Sequence, residues 1–297
     1  MLAKAHAKIN WDLRILGRRA DHFHELDSVF VTLSLSDELS FETAAELTLT
    51  CSDPALPVDG SNLVIKAATL LALEAGREFP DRKFGAKIRL VKHIPMGGGM
   101  GGGSSDAACA LASLNRIWEL NWELQKLAAI AGQVGSDVAY FLYGGWCLCR
   151  GRGEIVTRLP GAENWPSLRI WMILPPLHVA TPAVYKALRS APWDGSGGRG
   201  AQATAAGIAA TAFAANAPLI LRNDLATAAL QVEPRLAGIQ TVLEQFFPGR
   251  WLMSGSGASH FALPNQHEPF TRRAALEMAL QTAVPGTRIV EAQTLSA

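Results

Sequence analysis

"HIPMGGGMGGGSSDAACALASLNRIWEL", residues 93–120, holds six glycines among the seven residues from Gly97 to Gly103. Two serines and an aspartate follow, and then an alanine-rich run. Glycine has no Cβ, so successive backbone N–H groups can turn inward and a ligand can come close to the chain. Ala107, Leu111, Leu114 and Trp118 recur at helical spacing, which predicts a helix over 104–118. The glycines therefore lead into a helix N-terminus, where unpaired donors and partial positive charge gather. Together these features make an anion cradle suited to phosphate. Ser104 and Ser105 can cap the helix or offer hydroxyls to a phosphate or a metal. Asp106 can help hold Mg²⁺ or accept helix N–H groups.

Several phosphate-binding folds fail on these residues. A P-loop needs lysine after its last glycine, and here the loop runs G-G-G-S-S. Gly97, Gly99 and Gly102 fit G-x-G-x-x-G, but a dinucleotide fold carries that motif at its first strand–helix turn. This loop comes after several strands with no alternation of strand and helix. A protein-kinase loop would be followed by V-A-I-K and H-R-D, and neither is present.

Upstream, "KINWDLRIL" alternates as a strand until Gly17, and a turn follows. Val29, Val31, Leu33 and Leu35 keep period 2 in a second strand, and "ELTLTCS" and "FGAKIRLVKHIP" are further strands. "NLVIKAATLLALEAGRE" changes to helical period, with Ser61 or Asn62 as its cap. Downstream come a helix in "WELQKLAAIAGQV", the stretch "SDVAYFLYGG", and a hairpin turning at the glycines near 151–153. A second half starts near Leu159. "LRIWMILPP" is a strand, and "TPAVYKALRS" opens a helix with Thr181 as cap and Pro182 in its first turn. Residues 192–200 have linker composition, and the alanine-rich 201–218 is predicted helical. Two helices, a strand–glycine turn–strand in "RWLMSGSGASHFAL", a helix and a last strand complete the chain. The mixture predicts an α+β protein in two lobes, 1–158 and 159–297, without internal repeats.

The 297 residues are 49% hydrophobic and 18% charged, with a formal net charge of +1. That balance argues against a nucleic-acid or anionic-membrane partner. No signal peptide or membrane-spanning run is visible, so the expected setting is cytoplasmic. The four cysteines, Cys51, Cys109, Cys147 and Cys149, lack zinc-like spacing and are expected as buried thiols in a reducing compartment.

"PMGGGMGGGSSDAA" resembles the ATP-binding motif of the GHMP kinase superfamily. Three further stretches agree: "AHAKINWDLRILGRRADHFHEL", "VGSDVAYFLYGG" and "LMSGSGASHFAL". Together they run from about residue 5 to residue 263. The resemblance implies a two-lobed fold with an N-terminal ribosomal-protein-S5-like lobe, a C-terminal α/β-plait (ferredoxin-like) lobe and the active-site cleft between them. It implies ATP as co-substrate with Mg²⁺, and a monomer or homodimer acting on a small molecule. Pro95, Met96, Gly97, Gly98, Gly99, Met100, Gly101, Gly102, Gly103, Ser104 and Ser105 are expected to bind ATP. Lys8 and Asp137 are expected beside the acceptor hydroxyl, Asp137 as base or orienting group and Lys8 as its charge partner. Asn10, Phe23, His24 and Tyr185 are expected at the substrate, Gly255 and Gly257 at a cleft-lining turn, and Asp106 at the metal.

The longer glycine run followed by S-S-D-A-A is similar to the branch whose acceptor is the 2-hydroxyl of 4-diphosphocytidyl-2-C-methyl-D-erythritol. Mevalonate- or homoserine-kinase-like activity, a non-catalytic nucleotide-binding homologue and a dinucleotide-dependent oxidoreductase are the alternatives. Four residues depart from the branch pattern. His22 stands where glycine is usual, Ala139 and Tyr140 stand where Pro-Phe is usual, and His260 replaces a small or β-branched residue.

Overall fold

A computed structural model describes residues 1–188, 191, 192, 195, 200, 220–265 and 268–296. The helix expected over 201–218 and most of the linker-like 192–200 lie outside those residues. The larger sheet is built on two long strands, β1 (Leu2–Arg18) and β2 (His24–Ala44), paired antiparallel. β3 (Leu47–Cys51) and β4 (Gly85–Val91) extend it from β2, and β5 (Trp146–Gly151) and β6 (Ile155–Arg158) form a hairpin that also pairs with β2. Residues Arg222–Asn223, β8, add a short parallel pairing on β1.

Three helices pack on this sheet, α1 (Leu63–Glu78), α2 (Gly102–Ile117) and the short α4 (Val138–Tyr143), and α3 (Leu124–Val134) packs on those helices. Asn62 caps α1, its side-chain oxygen accepting from the Val64 N–H at 2.9 Å. In α2 the four residues expected on the apolar face, Ala107, Leu111, Leu114 and Trp118 just beyond its end, are all buried. The second sheet is antiparallel. It orders β11 (Arg288–Gln293), β7 (Arg169–Leu174), β10 (His260–Ala262) and β9 (Trp251–Met253). α5 (Thr181–Ala187), α6 (Ala226–Val232), α7 (Leu236–Phe246) and α8 (Phe270–Ala283) accompany it. Thr181 is the first residue of α5 rather than its cap. Ala180 takes the cap position, and the Thr181 hydroxyl meets Ser256 Oγ at 2.8 Å.

β1 departs from simple alternation. Every residue from Ala7 to Leu13 is buried. The strand is covered on both sides, and three irregularities in its pairing with β2 re-aim it, at His6/Lys8, Asn10/Asp12 and Ile15/Gly17. Ala7, Ile9 and Trp11 join Val29, Val31 and Leu33 in one apolar cluster with Ile170, Met172 and Phe261 of the second sheet. Trp11 is its centre, with ring centroids 5.2 Å from Trp146 and 6.2 Å from Phe261. Separate clusters lie under α1–α3 and among α5–α8. Among the described residues no helix is long and apolar enough to cross a membrane. The four cysteines are unpaired; Cys147 and Cys149 are buried, whereas Cys51 and Cys109 are partly exposed.

Candidate active site

A cleft of about 1040 Å³ runs between the glycine loop and α5, lined by both halves of the chain. The loop forms one end. Gly97, Gly99 and Gly101 all have positive φ, at 65°, 71° and 69°. Gly99 has no room for another residue: a Cβ there would lie 2.0 Å from the Ser254 carbonyl oxygen. Ser254 Oγ in turn donates to the Gly99 carbonyl at 2.9 Å. The turn Ser254–Gly257 therefore braces the loop from behind, and Gly255 and Ser256 line the cleft. Gly257 does not; it packs toward Met253.

The loop's other anchors are internal. The Met100 side chain is buried in the shared core, and its carbonyl accepts from the Lys8 N–H at 3.0 Å. Gly101 takes the cap position of α2, so the helix begins two residues earlier than its serines suggest. Ser104 faces the cleft, as do Pro95, Met96 and the six glycines. Ser105 is turned away from it. Its hydroxyl donates to the His6 carbonyl at 2.7 Å, so it ties α2 to β1 instead of offering an oxygen to phosphate.

Beneath the loop lies a buried charge cluster that pattern reading did not find. The Lys92 ammonium bonds Asp37 and also Asp106, the latter at 2.8 Å. The other Asp37 oxygen accepts from the His93 and Ile94 N–H groups and so fixes the entry to the loop. Burial pushes the Asp106 carboxyl up, Lys92 opposes and Asp37 adds to the rise, leaving it at about 7. Asp106 Oδ1 has no hydrogen-bond partner although it is buried and its residue lines the cleft. The sequence signal was the lysine of "LVKHIP", read only as the end of a strand.

Midway along the cleft, Lys8 and Asp137 come together, with Nζ 3.5 Å from Oδ2. Lys8 also donates to Asn10 Oδ1 at 2.7 Å and stands 4.4 Å from the centre of the Phe30 ring. Asn10 passes the constraint on, donating to Ser28 Oγ at 3.1 Å. Its side chain faces the cleft but is committed to holding Lys8. Asp137 occupies the cap position of α4 yet makes no side-chain cap bond, which leaves its carboxylate directed to Lys8. Gly153, in the β5–β6 turn, lies against that carboxylate: a Cβ there would be 3.2 Å from Oδ1.

At the far end the His24 and Tyr185 rings meet at 5.1 Å. Burial, and secondarily Arg18, lower the His24 pKa, which favours the neutral imidazole. Phe23 projects at the rim, with the Arg152 guanidinium 4.8 Å from its centroid. Of the four departures from the branch pattern only His22 reaches the cleft. It has φ 68°, a left-handed conformation that explains why glycine suits this position. Tyr140 is buried with its hydroxyl on Thr32 and Gly145, Ala139 is buried, and His260 is buried against the Ala258 carbonyl.

The GHMP kinases N terminal domain matches residues 62–145, from the cap of α1 through the loop to the end of α4. The 4-diphosphocytidyl-2-C-methyl-D-erythritol kinase of Synechococcus sp. (strain CC9311) is 40% identical over 276 residues, covering 88% of this chain and 86% of that one. The chain belongs to the 4-diphosphocytidyl-2-C-methyl-D-erythritol kinase family. The family's protein from Listeria welshimeri is 37% identical over 266 residues, covering 89% of this chain and 87% of its own. A crystal structure of a 4-(cytidine 5'-diphospho)-2C-methyl-D-erythritol kinase superposes over the full length of both chains, with a TM-score of 0.76 and 30% identity. A mevalonate kinase (TM-score 0.65, 11% identity, full length of both chains) shares the two-lobed GHMP kinase fold and nothing finer. The chain is thus a kinase of this family, built as the GHMP resemblance implied.

Proposed function

We propose that the protein transfers the γ-phosphoryl group of ATP to the 2-hydroxyl of 4-diphosphocytidyl-2-C-methyl-D-erythritol, a step of the non-mevalonate isoprenoid precursor pathway. The observation that carries this reading is the Lys8–Asp137 pair at 3.5 Å in the cleft that begins at the glycine loop. Phosphoryl transfer depends mainly on positioning and on neutralising the moving charge. The loop amides and the N-terminus of α2 supply donors for the ATP phosphates. Asp137 orients the acceptor hydroxyl and takes its proton as the new O–P bond forms and the bond to the β-phosphate breaks. Lys8, held by Asn10, pairs with Asp137 and faces the transferred group. Phe23 and Tyr185 supply aromatic faces for cytosine, and neutral His24 supplies a donor and an acceptor for its edge.

Mg²⁺ fits the residues present. Asp106 offers a hard carboxylate oxygen without a partner, and Ser104 is a hydroxyl residue that lines the same cleft. No group of three His, Cys, Asp or Glu side chains is gathered for a metal among the described residues. Asp106 and Ser104 are the residues that would hold the ion. When bound, it supplies charge neutralisation at the phosphates.

The two expected halves, 1–158 and 159–297, are carried forward as the domains, with the cleft between them. Both halves of the chain line that cleft, and a cytoplasmic small-molecule enzyme, monomer or homodimer, is the setting we propose. The test is ADP release with the cytidyl substrate against mevalonate, homoserine and other alcohols. Turnover with the cytidyl substrate far above the rest supports the reading. Turnover with mevalonate or homoserine instead would overturn it.

A further inference from the structure

We propose that Arg152 is a specificity-determining residue that grips the diphosphate of the acceptor substrate. The inference rests on the proposed acceptor, and its geometry comes from the β5–β6 turn. Arg152 and Gly153 are consecutive, yet they touch the two opposite ends of the acceptor half of the cleft. Gly153 lies against the Asp137 carboxylate, 3.2 Å from Oδ1 to the site of a Cβ. The Arg152 guanidinium lies 4.8 Å from the centre of the Phe23 ring. A substrate with its base at Phe23 and Tyr185 and its reacting alcohol at Asp137 must run its linker past residue 152. In the proposed acceptor that linker carries the diphosphate, which bears the molecule's negative charge.

Arg152 is fitted to meet that charge. Its side chain is about one-third exposed, at 30%, and lines the cleft. The facing carboxylate, Glu154, stands 3.6 Å from Arg152 Nε, beyond hydrogen-bond distance, and accepts instead from the Arg152 backbone N–H at 2.6 Å. Asp21, in the β1–β2 turn, is near enough to feel the guanidinium but is exposed, screened and already paired with Arg19 at 3.2 Å. The forked N–H groups therefore remain available for phosphate oxygens, a geometry that guanidinium satisfies better than ammonium. Arg18 and Lys186 line the same end and add positive field. The alternative role for Arg152 is to cover the Phe23 face and nothing more.

Calorimetric titrations of the full chain, with ADP saturating the glycine loop, separate the two roles. Cytidine and cytidine 5′-diphosphate are titrated into the parent, Arg152→Ala and Arg152→Lys. Arg152→Ala is expected to weaken cytidine 5′-diphosphate roughly tenfold or more, the scale of a lost charge-assisted contact, while cytidine changes less than about twofold. Arg152→Lys is expected to recover part of the loss. An equal loss for both ligands would reduce Arg152 to support for Phe23, and no loss for either would leave it without a role; each result overturns the proposal. A parent chain that binds neither cytidine compound overturns the acceptor reading itself, and the proposal with it.

Discussion

Asp137 is the residue on which turnover is expected to depend most. It is held by Lys8 on one side and approached by Gly153 on the other. Asp137→Asn keeps the shape and removes the charge and the basic oxygen. Turnover should fall by about 10²–10⁴-fold, with ATP binding by calorimetry and the far-ultraviolet spectrum unchanged. Gly153→Ala probes the same carboxylate indirectly. Its φ of +119° disfavours any side chain, and the added methyl would press on Oδ1. We expect kcat to drop at least tenfold, by roughly 1.4 kcal/mol of transition-state stabilisation, with the affinity for ATP retained. That Lys8 and Asp137 would come together was legible in the sequence, because the motifs around them are specific. Gly153 and Arg152 were not, because "RGRG" reads locally as a hairpin turn and nothing in it records that the turn folds back onto residue 137.

At the scale of elements, the glycine loop and α2 act as one unit with the charge cluster beneath them. The patterning of α2 was plain from Ala107, Leu111, Leu114 and Trp118. Its start was not, because serines are common caps and a glycine in a left-handed conformation took that place here. Asp106 links this element to pH. Its carboxyl lies at about 7 against an ordinary 3.8, so the fold favours the protonated form. That contribution to stability is fully present below the ordinary value and is lost as pH rises through about 7. Asp106→Asn does not ionise. Its stability relative to the parent should therefore improve between pH 4 and pH 8, by more than about 1 kcal/mol, in urea unfolding measured at both ends. Parallel curves for the two proteins would mean that Asp106 is ionised throughout.

Over the whole molecule, the two sheets share a core centred on Trp11. Most strands of the two sheets could be read from periodicity. Their common interior could not, since period 2 in β1 says which faces are apolar but not that both are covered. Trp11→Ala should cost about 3–5 kcal/mol, and both halves should unfold in one transition in calorimetry. A variant showing two separated transitions would contradict a shared core. The brace between Ser254 and Gly99 carries this dependence into the site itself. A fragment ending at residue 158 would retain the complete nucleotide signature and lose the back wall that gives the loop its shape. Nucleotide affinity is accordingly heritable only through both halves together. In chimaeras that exchange C-terminal halves between relatives, the strength of ATP binding should follow the match between the two glycine turns rather than the origin of the motif.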